Sequence, residues 1–210
     1  MIHQYWDGPM PKGIAQCIES VKRLNTWCEY KLWTRETLPT MEMQPLIDRC
    51  SSAREASDVI RAELLWRHGG IWLDTDMQCL KSLEPLDRIT EGRWNVQDES
   101  AWPLINSMVI ISGVFGCIKE DPYARALMDG MIRVYNEENP HLEYTYVWPF
   151  DWLAVNPPLE WRRWILPKDT FHQSKNGYCF HWNGSALGDN WKINNGKGKG
   201  NNEPGHNTRP

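Results

Sequence analysis

No apolar run in this 210-residue chain is long enough to cross a bilayer, the longest (Ser107 to Ile118) being interrupted by Ser and Gly. The opening MIHQYWDG has neither a basic n-region nor an apolar h-region, so no signal peptide is visible. Basic excess is also lacking: 23 Lys and Arg stand against 27 Asp and Glu, a formal net charge of -4. A groove for nucleic acid is ordinarily marked by a basic stripe, and that class is excluded. The six cysteines form no CxxC pair, the closest two, Cys17 and Cys28, lying eleven residues apart. That removes a zinc ribbon and a thioredoxin-type couple and points to reduced thiols in the cytoplasm. Phenylalanine is scarce, at 4, but Trp reaches 13. Broad flat side chains fill cores and also stack on bases and sugar rings.

The periodicities predict an α/β domain with helices flanking a sheet. Residues Ile2 to Trp6 read as a first strand, ended by Asp7-Gly8-Pro9. Ile14, Cys17, Ile18, Val21 and Leu24 then recur at helical spacing, and Cys28, Tyr30 and Leu32 alternate with charged residues as a second strand. Ser52 and Glu55 form a capping box before a helix that runs to His68 and stops at Gly69-Gly70. Ile71-Trp72-Leu73 enters a strand expected to carry Asp74-Thr75-Asp76 at its end, and Met108 to Ile111 reads as a central strand. Asp121-Pro122 opens another helix that stops at Asn139-Pro140. Tyr144 to Trp164 gives no clean period. Residues 1–191 are expected to form one domain, and 192–210, rich in Gly, Asn and Lys, a disordered tail.

The Asp-x-Asp at Asp74 and Asp76 is weak by itself, since 12 Asp in 210 residues supply about 0.7 such pairs by chance. Its placement adds weight. Residues two apart on a strand share a face, so the two carboxylates are expected to converge while Thr75 turns away. They close an apolar strand at the end where open α/β sheets bind ligands. Two hard carboxylates with open coordination positions suit Mg²⁺ or Mn²⁺ carrying a diphosphate. Ten residues of helix back from His68 cover about 15 Å, and five of strand forward from Ile71 about 16 Å. Folding at the glycines therefore brings Asp58 level with Asp76 and Arg61 level with Asp74. Asp58 and Arg61, three apart, share one helix face.

The string ASDVIRAELLWRHGGIWLDTD, Ala56 to Asp76, resembles the signature of the DXD-containing sugar transferases of glycosyltransferase family 32, the Och1-like enzymes. It is also similar to the catalytic domains of the clostridial glucosylating toxins. IHQYWDGPMP, Ile2 to Pro11, resembles the family's first strand, and EYKLW, Glu29 to Trp33, its second. The resemblance implies a GT-A-type nucleotide-sugar-binding mixed sheet flanked by helices. It implies that Asp74 and Asp76 hold a divalent cation on the donor diphosphate, that Trp6 stacks on the donor base, and that Asp58 and Arg61 grip the donor sugar. Phe180 to Ser185 resembles the family's closing His-x-x-x-Ser-Trp loop, which makes His181 a third metal ligand and Ser185 a donor contact. Ala186 stands where the family's Trp follows the Ser, and the next Trp is Trp191.

The implied reaction moves a sugar, with retention, from a nucleotide sugar (UDP-linked in the leading reading) to an unread glycan, protein or small-molecule acceptor. No general base is assigned; Asp151 is a bare candidate. Two other classes stay open at this point. A metal-dependent phosphoesterase needs further carboxylates, with Glu63 the acid near in sequence. A binding protein would hold the donor or a glycan without turnover.

Overall fold

The computed structural model describes residues 1–50, 52–98, 109–137, 163–166, 170 and 177–182. Strand β1 (Ile2–Tyr5), helix α1 (Lys12–Leu24) and strand β2 (Tyr30–Trp33) make the expected β-α-β opening, and β1 pairs with β2 in parallel. Helix α2 (Gln44–Ile47) and helix α3 (Ala53–His68) precede strand β3 (Gly70–Leu73), which lies parallel to β1. Strand β4 (Met77–Cys79), helix α4 (Glu84–Ile89), strand β5 (Trp94–Asp98), strand β6 (Val109–Cys117) and helix α5 (Pro122–Glu137) follow. Short strands β7 (Ile165–Leu166) and β8 (Cys179–His181) come last. The main sheet has the order β2-β1-β3-β6-β5-β7, mixed in direction because β6 runs antiparallel to both β3 and β5. A second, two-stranded sheet pairs β4 with β8.

Local chemistry explains these elements. Ile14, Cys17, Ile18 and Val21 bury one face of α1. At its end, the Asn25 side chain donates to Val21 O at 2.9 Å and accepts from Leu83 N–H at 2.7 Å, tying the helix to the start of α4. Ser52 caps α3 by accepting the Glu55 N–H at 3.3 Å, one half of the capping box. The helix stops where Gly69 and Gly70 take φ of +65° and +103°. A Cβ at these positions would meet Lys119 N at 2.5 Å and Met1 O at 2.3 Å, so only glycine lets the chain turn tightly into β3.

Alternation along β3 divides the core between the two faces of the sheet. Trp72, paired across the ladder with Phe115, packs with α3 and α5 in one cluster. Ile71, Leu73 and Val114 join Val21 of α1 and Cys79 of β4 in the other. Helices thus cover both faces, and β1, β2 and β3 end at one shared edge. That edge carries Trp6, Thr34 and Asp74.

Several boundaries differ from expectation. β1 ends at Tyr5, although Trp6 N–H continues the ladder to Trp33 O at 3.0 Å. β3 ends at Leu73, so Asp74 to Asp76 form the turn into β4, closed by Met77 N–H donating to Asp74 O at 3.0 Å. The strand read from Met108 to Ile111 extends to Cys117, with Met108 itself outside the described residues. Trp148, Asp151, Trp152, Trp161, Asn183 to Trp191 and the 192–210 tail also lie outside them.

Candidate active site

The turn between β3 and β4 is built on three supports. The Asp74 N–H donates to Gly113 O at 2.8 Å, extending the β3–β6 ladder by one residue. The buried Gln4 amide of β1 donates to Asp74 O at 3.2 Å and accepts from the Tyr30 hydroxyl at 2.8 Å, fastening the turn to both neighbouring strands. From β8, the Trp182 N–H donates to Asp76 O at 3.2 Å. The β4–β8 register sets Met77 opposite His181, placing the imidazole beside the turn.

Asp74, Asp76 and His181 each offer a ligand atom within 4.8 Å of the others. Their side chains are 29%, 13% and 16% exposed, open on one side and walled on the other. The two acids do converge, but a reversing turn brings them together rather than the two-residue repeat of a strand. His181 Nε2 lies 3.1 Å from Asp76 Oδ1. Burial is the largest influence on this imidazole and lowers its pKa. The hydrogen bond to Asp76 and the charges of Asp76 and Asp74 outweigh it, and the pKa is raised.

Arg61 lies beneath the turn on α3. Its Nη1 is 3.6 Å from Asp74 Oδ1, as the helix-and-strand arithmetic placed it, and its Nη2 contacts Asp58 one turn earlier. The guanidinium is 3% exposed, and burial pulls its pKa down while the Asp74 charge opposes this. Asp58 pairs its carboxylate with Arg61, three residues on along α3. The pair is therefore a floor to the site. Its cation pairs with Asp58 and lies near Asp74.

Trp6 is half-buried at the shared strand edge, with its indole N–H on Gly8 O at 3.0 Å. It is not a core residue. Ser185 lies outside the described residues. Glu63 faces elsewhere: it is fully buried, accepts the Glu42 and Met43 N–H groups at 2.7 and 2.8 Å, and pairs with Arg67 at 2.5 Å. Glu63 is thus committed to a loop. Among the described residues, Asp74, Asp76 and His181 form the one cluster of three or more potential ligands.

Sequence reasoning missed two neighbours of Asp74. The Trp72 indole N–H donates to Asp74 Oδ1 at 2.8 Å. Gly113 stands opposite on β6, where an added Cβ would meet Asp74 Oδ2 at 2.7 Å. A glycine inside an apolar strand was the available signal, since such a residue marks close approach.

Residues 11–94 match the family described as glycosyltransferase sugar-binding region containing DXD motif, a span that includes Asp58, Arg61, Asp74 and Asp76. Inositol phosphoceramide mannosyltransferase 3 of Schizosaccharomyces pombe is 25% identical over 210 residues, covering 90% of this chain and 55% of the relative. The chain thus spans about half the length of the curated relative it matches. Among solved structures, PaToxG glycosyltransferase superposes with a TM-score of 0.55 at 14% identity, covering 75% of this chain and 69% of that one. The apo-form glycosyltransferase GlyE of Streptococcus pneumoniae TIGR4 gives 0.53 at 12% identity, covering 81% and 45%. The mixed sheet with flanking helices is the GT-A-type fold that the resemblance implied, and residues 11–94 match the DXD-containing region of glycosyltransferases.

Proposed function

We propose that this protein is a metal-dependent glycosyltransferase that moves a sugar from a nucleotide diphosphate sugar, UDP-linked, to an acceptor with retention of anomeric configuration. The observation that carries this reading is the convergence of Asp74, Asp76 and His181 above the Asp58–Arg61 pair, within a region matching DXD glycosyltransferases. Two carboxylates and one imidazole form a mixed hard donor set that fits Mn²⁺ better than Mg²⁺, which prefers oxygen and water throughout. A divalent cation held there supplies Lewis-acid charge for the departing diphosphate.

The chain's own residues do the rest. Asp74, the most exposed of the three, faces the donor, while Asp76 and His181 close the metal side. Arg61 and Asp58 support the sugar end from beneath, acting through Asp74. Trp6, at the edge shared by β1, β2 and β3, offers its ring to the donor base, with Ser185 as a further donor contact. In the transfer, the acceptor hydroxyl oxygen bonds to the anomeric carbon as the bond to the diphosphate breaks, and the hydroxyl proton passes to the leaving phosphate. No side chain is needed as base. Asp74 and Asp76 are thereby catalytic through preorganised charge, the largest contribution in most enzymes.

The acceptor is a glycan, protein or small molecule. No helix of the described residues is long and apolar enough to span a membrane.

Incubation with UDP-sugars and GDP-mannose, without acceptor, tests the reading; mannose is included because of the relative's name. Slow release of the nucleoside diphosphate in Mn²⁺, abolished by EDTA and by Asp76→Asn, is expected. Undiminished turnover in EDTA, or hydrolysis of plain phosphodiesters in preference to nucleotide sugars, contradicts it.

A further inference from the structure

Asp74 is the most exposed of the three potential ligands, yet its carboxylate is held on both sides. Among the described residues, the one hydrogen bond to its side chain comes from Trp72, at 2.8 Å to Oδ1. Arg61 Nη1, at 3.6 Å from the same oxygen, adds charge but is too distant for a hydrogen bond. The other oxygen, Oδ2, lies over Gly113, so close that a Cβ there would be 2.7 Å away. Trp72 also touches the floor of the site, its ring carrying the Arg61 guanidinium carbon 5.8 Å from the centroid. This indole is fully buried and packed in the core beneath α3 and α5, so it has no freedom to swing away.

We propose that Trp72 is a positioning residue, and that Trp72 and Gly113 together form a seat fixing the Asp74 carboxylate in the orientation a divalent cation requires. An aspartate at a reversing turn has free rotation about two bonds, and a ligand that must first be ordered binds its ion more weakly. The indole N–H occupies Oδ1 from the core side, while the missing side chain at position 113 admits Oδ2 against the sheet. Outer partners that orient a ligating carboxylate typically account for 10- to 100-fold in metal affinity. A tryptophan read only as core packing would not require its N–H, and a glycine read only as a strand irregularity would tolerate a methyl group. The proposal rests on the metal reading of the site given above.

The test measures Mn²⁺ binding by calorimetry, without turnover, in the full chain. Trp72 is replaced site-specifically by benzothienylalanine, which keeps the ring volume and exchanges the N–H for sulfur. Gly113→Ala attacks the opposite side of the seat, and Trp94→Phe serves as a control lesion at another fully buried indole. Both seat variants should bind Mn²⁺ about tenfold more weakly, with circular dichroism and Tm close to wild type, while Trp94→Phe keeps wild-type affinity. Unchanged Mn²⁺ affinity in both seat variants overturns the proposal, as does an equal loss in Trp94→Phe. A second readout separates this failure from that of the metal reading. The Trp72 indole proton signal, assigned by its disappearance in Trp72→Phe, should move upfield and exchange faster with solvent in Asp74→Ala. An indole signal indifferent to Asp74→Ala overturns the seat even where Mn²⁺ binds. A wild-type chain that takes up no Mn²⁺ while the indole signal does respond overturns the metal reading and, with it, the purpose of the seat.

Discussion

Arg61 bridges two acids of different standing: its Nη2 contacts Asp58, a buried neighbour on its own helix, and its Nη1 lies 3.6 Å from Asp74, which opens to solvent. One guanidinium thus couples the core to the rim of the site. Its removal leaves a buried carboxylate without its cation, a far larger penalty than an exposed ion pair would carry. Arg61→Ala should lower unfolding stability by about 3–5 kcal/mol in urea titrations. Asp58→Ala in the same chain should recover part of that loss, because the stranded charge goes with it. A double variant less stable than Arg61→Ala alone would show that the pair is not coupled as described.

The acid sensitivity of the fold should trace to His3. Burial, its largest influence, together with His68 and the chain terminus, lowers its pKa from 6.5 to about 4, although a hydrogen bond to Gly69 O opposes the shift. Trp33 Nε1–H donates to His3 Nδ1 at 3.1 Å, which leaves Nε2 to carry the proton and donate to Gly69 O at 2.9 Å. The native state thus favours the neutral ring. The unfolded chain binds a proton first as pH falls, so the stabilisation is complete above 6.5 and is lost on acidification towards about 4. Between pH 7 and pH 5 the wild type should lose about 2 kcal/mol more than His3→Asn does. Parallel pH profiles for the two proteins would contradict the assignment.

Glu63 should prove structural. Its carboxylate accepts two backbone N–H groups from residues 42 and 43 and pairs with Arg67 rather than with the 74–76 turn. Glu63→Ala leaves buried donors unsatisfied and should cost about 2–4 kcal/mol by thermal or urea unfolding. Mn²⁺ affinity at temperatures where the variant stays folded should match the wild type. A selective loss of Mn²⁺ binding without loss of stability would return Glu63 to the site.

Much of this arrangement was legible in the sequence because it follows from local periods. The capping Ser52, the sixteen-residue helix and the paired glycines fix α3 against β3, and fixed rises per residue then carry Arg61 to Asp74. The i, i+3 spacing put Asp58 and Arg61 on one helix face and the pair forms, but distance along two elements says nothing of which partner a carboxylate chooses. Arg61, one helical turn away, reached it first. The turn at 74–76 was read as strand because the apolar run of β3 leads straight into it, although Asp favours turns. The reversal comes instead from β4 pairing with β8, about a hundred residues further along the chain. Gly113 showed only as a glycine within an apolar strand, because its contact with Asp74 arises when β6 lies antiparallel against β3, a pairing no local period encodes.

The central claim is that Asp74, Asp76 and His181 grip a diphosphate through a shared divalent ion. Calorimetric titration of UDP into the protein, once in Mn²⁺ and once in EDTA, tests it most directly. UDP affinity should be at least tenfold higher in Mn²⁺, with that gain lost in Asp76→Asn and reduced in His181→Ala. Equal UDP affinity in Mn²⁺ and EDTA, or a full Mn²⁺ gain retained in Asp76→Asn, would contradict it.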